Sequence, residues 1–95
     1  MNKRIRKKKG LSKITTSELM DLDYAIADFI LPRLIRYKEK TNTSPWDLTF
    51  EEYLEVLDKM IWSFNYVLKD VKGQEDDRYQ EGLHLFAEYF KSLWF

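Results

Sequence analysis

From Phe50 to Val71 the chain places Phe50, Leu54, Leu57, Ile61, Phe64, Leu68 and Val71 at alternating intervals of four and three. Only a helix gathers residues spaced that way onto one line, because a strand's period of two would scatter them over both faces. The segment also has its own start signal. Thr49 and Glu52 have the spacing of a capping box, and Leu48 and Tyr53 flank the cap as a hydrophobic staple requires. Val56, Met60, Trp62 and Val67 lie off this seam, so the helix offers more apolar surface than one partner covers.

Turn-forming residues at Gly10, Thr41–Pro45 and Val71–Gln74 mark off one segment on each side. In the first, Thr15 and Glu18 form another capping-box pair, and Leu19, Leu22, Ile26 and Phe29 are expected to face the core. Pro32 has no N–H for the carbonyl of Asp28, so a kink is expected there. Beyond it the stripe resumes, displaced, at Leu34 and Tyr37. Had the phase continued, Arg33 and Arg36 would occupy the inner face. The last segment opens on Glu75, Asp76 and Asp77, which suit a helix N-terminus. It repeats Tyr79, Leu83, Phe86, Phe90 and Leu93, so the end of the chain reads as the last turns of a core helix. Gly82 in its middle costs about 1 kcal/mol relative to alanine, which points to a close approach by another group. The expected fold is all-α: an antiparallel three-helix bundle with a Pro-kinked first helix and helices at about 16–40, 49–71 and 75–94. Trp46, Trp62, Tyr66, Tyr89, Trp94 and Phe95 exceed what three helices hide, which predicts a homo-oligomer, a dimer or higher.

The 95 residues include no cysteine, so neither disulfides nor thiolate metal sites stabilise the domain. No uncharged run approaches the roughly 20 residues of a membrane span, and no apolar stretch follows the basic start as in a secretory signal. A cytoplasmic location without membrane contact is the expectation. The net charge of zero conceals an asymmetry: residues 1–13 carry seven basic residues and no acid. They read as a flexible basic tail ahead of an acidic domain at 14–95. Lys3, Arg4, Arg6, Lys7, Lys8 and Lys9 form a candidate nucleic-acid contact through phosphate attraction, although no aromatic residue interleaves them for stacking.

His84 is the sole histidine and cysteine is absent, so three-histidine zinc, Ser-His-Asp and Cys-His arrangements are all excluded or nearly so. Glu51, Glu52, Glu55, Asp58 and Glu81 are numerous enough to suggest a carboxylate or metal-dependent hydrolase. A bundle di-metal site needs two Glu-x-x-His motifs, however, and only Glu81-Gly82-Leu83-His84 fits. No metal site, cofactor or catalytic residue is therefore expected. Arg33, one turn after Phe29, is expected to point inward. It would either pair with Asp58, Glu55 or Glu81, or recognise an anion. Arg33, Tyr37, Lys59, Trp62, Tyr66, Tyr89 and Trp94 form a candidate ligand-binding set, basic groups to hold a phosphate and aromatic faces to stack a base. The same aromatics at helical spacing also suit a core or an oligomer contact.

Three stretches carry a resemblance: "LDYAIADFILPRLIRYKEKTN", "LTFEEYLEVLDKMIWSFNYVL" and "EGLHLFAEYFKSLWF". Their order and spacing resemble a family of small, uncharacterised tailed-phage proteins with the pattern LD-x-x-IA-x-FI-x-PRL-x-x-F, EEW-x-x-ILDKMIW-x-F, EGL-x-LF-x-x-YF-x-x-LW. The likeness covers most of residues 10–95, and the basic stretch before Gly10 is similar to the family's start. Tyr37 stands where the pattern has phenylalanine, Tyr53 where it has tryptophan, and Phe95 where an acid is common. The resemblance implies a phage accessory protein in the bacterial host cytoplasm and no particular reaction. By analogy with other small phage proteins, it implies host takeover or anti-defence by sequestering a host protein or a nucleotide signal.

Overall fold

The computed structural model of the protein describes residues 10–69 and 76–95, and these are all-helical, with no strand among them. After a 3-10 turn at Leu11–Lys13 come α1 (Thr16–Met20), α2 (Leu22–Lys40), α3 (Phe50–Leu68) and α4 (Asp77–Glu88), then a second 3-10 turn at Phe90–Ser92. The capping boxes of Thr15 with Glu18 and Thr49 with Glu52 are both formed. The acidic start of the last helix resolves to one residue: the Asp76 side chain accepts from the backbone N–H of Arg78. The tail expected over 1–13 is already structured from Gly10, whose φ of 70° admits glycine readily. Lys3 to Lys9 lie outside the described residues, as do Val71 and Glu75.

Three expected boundaries need correction. The first helix is interrupted at Asp21, whose φ and ψ of −127° and 54° are not helical. Aspartate is a poor helix-interior residue because its carboxylate competes for backbone donors. The second helix ends at Leu68 rather than near 71. The third ends at Glu88, short of 94, so the chain's last residues are not turns of a core helix. The Tyr89 hydroxyl donates to Asp47, while the carbonyl oxygens of Ser92 and Trp94 accept from tyrosine hydroxyls on other helices. These partners replace the next helical turn.

α3 is the common packing partner, meeting α2 on one side and α4 on the other; α2 and α4 do not pack on each other. The molecule is accordingly flat, 46 × 34 × 20 Å along its principal axes. Being covered from two directions, α3 buries an arc wider than one seam. Its deepest residues are Tyr53, Leu57, Met60 and Ser63, followed by Phe64. Only Leu57 and Phe64 of these belong to the 4-3 seam; Leu54, Ile61 and Leu68 are half-buried and Phe50 is exposed.

α2 departs furthest from expectation. Ala27 and Leu34 are its buried residues, whereas Leu19 on α1 and Leu22, Ile26 and Phe29 on α2, the expected inner stripe, are all exposed. Leu34 and Ala27 lie on the side facing α3, in one cluster with its buried residues, and that choice turns the 22–26–29 line outward. Along α4 and the turn that follows it, the corresponding shift buries Gly82 and Tyr89 and leaves Phe90 exposed. Gly82 makes the close approach its position suggests: an added Cβ would lie 1.8 Å from Ser63 Oγ and 2.4 Å from the carbonyl oxygen of Lys59.

Candidate functional site

Pro32 lies inside α2 and the helix continues through it. The proline leaves the carbonyl of Asp28 without its usual donor. One residue on, the Arg33 guanidinium donates to the Phe29 carbonyl at 2.7 Å and stacks 3.7 Å from the centre of the Phe29 ring. Arg33 is therefore exposed and fastened to its own helix, not turned inward. The expected ion pair with Asp58, Glu55 or Glu81 is not made. Asp58 pairs with Lys38 at 2.6 Å and Glu81 with Lys59 at 2.6 Å.

The seven candidate ligand-binding residues separate into three places. Arg33 and Tyr37 line an open depression of about 490 Å³ with Pro32, Arg36, Lys40 and Phe95. Tyr37 is its inner wall. Its hydroxyl lies 3.0 Å from that of Tyr53 and within 3.2 Å of the Ser92 and Trp94 carbonyl oxygens, and its ring meets Phe95. Trp94 thus enters through its backbone, with its side chain 71% exposed. Tyr53, fully buried, donates to Ser92 at 3.1 Å. Burial, and then the Tyr37 hydroxyl beside it, push the Tyr53 phenol far above its ordinary range. The two tyrosines work as a clasp holding the chain end against α2 and α3.

Lys59 and Trp62 line a second depression, of about 320 Å³, with Asp58, Arg78 and Glu81. Trp62 stacks on Tyr66, which stacks on Tyr79, and the Arg78 guanidinium lies 4.4 Å from the Trp62 ring centre. Both cations here have acid partners. A hydrogen bond and ion pair with Glu81 raise the Lys59 pKa, and Asp76, lowered by its hydrogen bonds from Arg78, raises that of Arg78. An incoming phosphate would have to displace carboxylates. The third place is Tyr89, which belongs to the buried core cluster and lines neither depression. Its hydroxyl donates to Asp47 at 3.0 Å, and burial followed by that carboxylate raises its pKa.

His84 is exposed. Among the described residues no group of three or more His, Asp or Glu side chains could hold a metal ion, and no helix is long and apolar enough to cross a membrane. Arg36, Lys40 and Arg78, none of them in the candidate ligand-binding set, help to line the two depressions, while Asp58 and Glu81 stand out in the sequence only as carboxylates. For Arg36 and Lys40 a signal existed. Leu22, Ile26, Phe29, Arg33, Arg36 and Lys40 continue one 4-3-4-3-4 line, and all six are exposed. The pairing of Arg78 with Trp62 depends on how α4 packs and has no sequence signal. Searches of protein-family models, curated proteins and solved structures find no match to this chain.

Proposed function

We propose that the protein is a non-catalytic binding protein that acts as a homo-oligomer, an accessory factor of a tailed phage that occupies a host protein in the bacterial cytoplasm. The phage setting rests on the resemblance set out above. The observation that carries the binding reading is the apolar surface left bare. Leu19, Leu22, Ile26 and Phe29 are exposed on α1 and α2, and a second set, Trp46, Phe90, Trp94 and Phe95, is exposed elsewhere. Soluble monomers rarely leave large contiguous apolar patches uncovered, and those they leave serve association. The second set belongs to segments that meet near the tyrosine clasp and the Tyr89–Asp47 bond. We assign it to the host partner, with Trp46, at 98% exposure, and Trp94 as anchors.

The paired contacts also support an antiparallel packing of α4 against α3. Asp47 meets Tyr89, Lys59 meets Glu81 and Ser63 meets Tyr79, so residue numbers on α4 fall as those on α3 rise.

The test is two-step purification of the tagged full chain from bacterial cells, with mass spectrometry of retained proteins and of small molecules released by heat. A stoichiometric host protein that Trp46→Ala and Trp94→Ala variants lose, with helicity unchanged, supports the reading. A stoichiometric nucleotide instead assigns the role to the depression lined by Arg33, Tyr37 and Lys40. Turnover of a released compound by the purified protein overturns the non-catalytic assignment.

A further inference from the structure

The exposed face of α2 is divided by charge as well as by polarity. Its first half presents Leu22, Ile26 and Phe29, and its second half continues the same line with Arg33, Arg36 and Lys40. Residues 15–31 carry four acids, Glu18, Asp21, Asp23 and Asp28, and no base. Residues 32–40 carry four bases against the single acid Glu39. Glu18, Asp21 and Asp28 border the apolar line directly, lining one depression with Phe29 and Arg33. Lys38 is engaged with Asp58, and Arg36 pairs, among the described residues, with the exposed Glu39 three residues on, a pairing of little energetic weight.

From this we infer that the outer face of α2 pairs antiparallel with the same face of a second copy, about a two-fold axis between Ile26 and Phe29. The inference rests on the oligomeric reading above and names its surface and register. A 4-3 line pairs antiparallel when alternate positions of the two helices oppose each other. Setting Ile26 of one copy against Phe29 of the other satisfies this and brings two Ile–Phe contacts to the axis. Leu22 then faces Arg33 of the other copy, and the turn carrying Leu19 faces its Arg36. Arginine suits those places, because its stem covers the leucine while its head reaches an acid beside it: Arg36 reaches Glu18, and Arg33, which keeps one donor on the Phe29 carbonyl, turns its remaining donors to Asp21. Parallel pairing would set acids on acids and bases on bases, which like-charge repulsion opposes. Size agrees as well. Leu19, Leu22, Ile26 and Phe29 each expose about half their surface. With the arginine stems they approach, to order of magnitude, the ~800 Å² per partner of a stable interface. A second copy is also the occupant whose charges match by construction, since an isologous contact uses one patch twice.

The experiment is a charge exchange on the full chain, read by light scattering coupled to size exclusion and by sedimentation, with circular dichroism to verify folding. The unsubstituted 11.6 kDa chain is expected at twice that mass. R33E/R36E and E18K/D21K are each expected to raise the dimer dissociation constant at least tenfold. Mixing the two variants should restore a heterodimer, because every reversed acid then meets a reversed base. An unfolded variant cannot be rescued this way, so restoration separates interface from stability. A monomeric unsubstituted chain overturns both the oligomeric reading and this interface. An oligomer indifferent to both reversals, or reversals that mixing does not repair, overturns this interface alone.

Discussion

Gly82 shows how one position sets the distance between two helices. Alanine there would gain about 1 kcal/mol of helix propensity. Its methyl would also meet the Lys59 carbonyl oxygen at 2.4 Å, a backbone group that cannot step aside. Gly82→Ala is expected to destabilise by about 1–3 kcal/mol net in urea denaturation. Tyr53 and Tyr89 make a different prediction. Both hydroxyls donate inside the structure and both are held above the ordinary tyrosine value, so folding favours the neutral phenol. A raised folded-state pKa means that this contribution to stability is complete below about pH 10 and is lost as pH rises through the folded values. Stability should therefore be insensitive to these groups at neutral pH and fall above about pH 10. Tyr53→Phe should lower neutral stability by about 1 kcal/mol and make the alkaline fall shallower, as checked by denaturation across pH. An alkaline fall as steep in the variant would show that Tyr53 is not its source.

The two capping boxes are alike locally and unlike in what they support. Thr49 starts α3, which holds Tyr53, Leu57, Met60, Ser63 and Phe64 in the core. Thr15 starts α1, five residues with none buried. Thr49→Ala should lower global stability by about 1 kcal/mol. Thr15→Ala should leave the unfolding midpoint in place while amide exchange in residues 16–20 accelerates, because local fraying there releases no packed side chain. In α2, Pro32 and Arg33 form a unit. The guanidinium bond to the Phe29 carbonyl reinforces a turn in which the proline has removed the neighbouring donor. Pro32→Ala should stabilise by about 1–3 kcal/mol, and Arg33→Ala should cost about 1 kcal/mol alone and less in the Pro32→Ala background. A double-mutant cycle measures the difference, and strict additivity would dissolve the proposed unit.

In the whole molecule, apolar residues lie on the surface as well as in the core, and salt discriminates the forces in the proposed self-association. Exposed charges are screened over ~10 Å at 0.1 M ionic strength and over ~3 Å at 1 M. Self-association through the charge-divided α2 face should weaken several-fold over that range in sodium chloride, followed by sedimentation, while helix content holds. Purely apolar pairing would strengthen or stay level. The sequence by itself determined that the chain is helical and where its two capped helices begin, because 4-3 spacing and S/T-x-x-E caps are local and act within a few residues. It also revealed the close approach at Gly82, where a helix-weakening residue has no local use. Which face of each helix turns inward was decided only by tertiary structure. Leu22, Ile26 and Phe29 form as regular a stripe as any in the chain, yet they lie outside, because α3 takes the Ala27–Leu34 side of α2. The same holds for the last residues: Phe90 and Leu93 have helical spacing, but the hydroxyls of Tyr37 and Tyr53 capture the carbonyls of Ser92 and Trp94 from other helices. Periodicity records that a face is apolar. Which of two apolar faces finds its partner within the same chain depends on the relative energies of whole packings, and no stretch of sequence contains those alone.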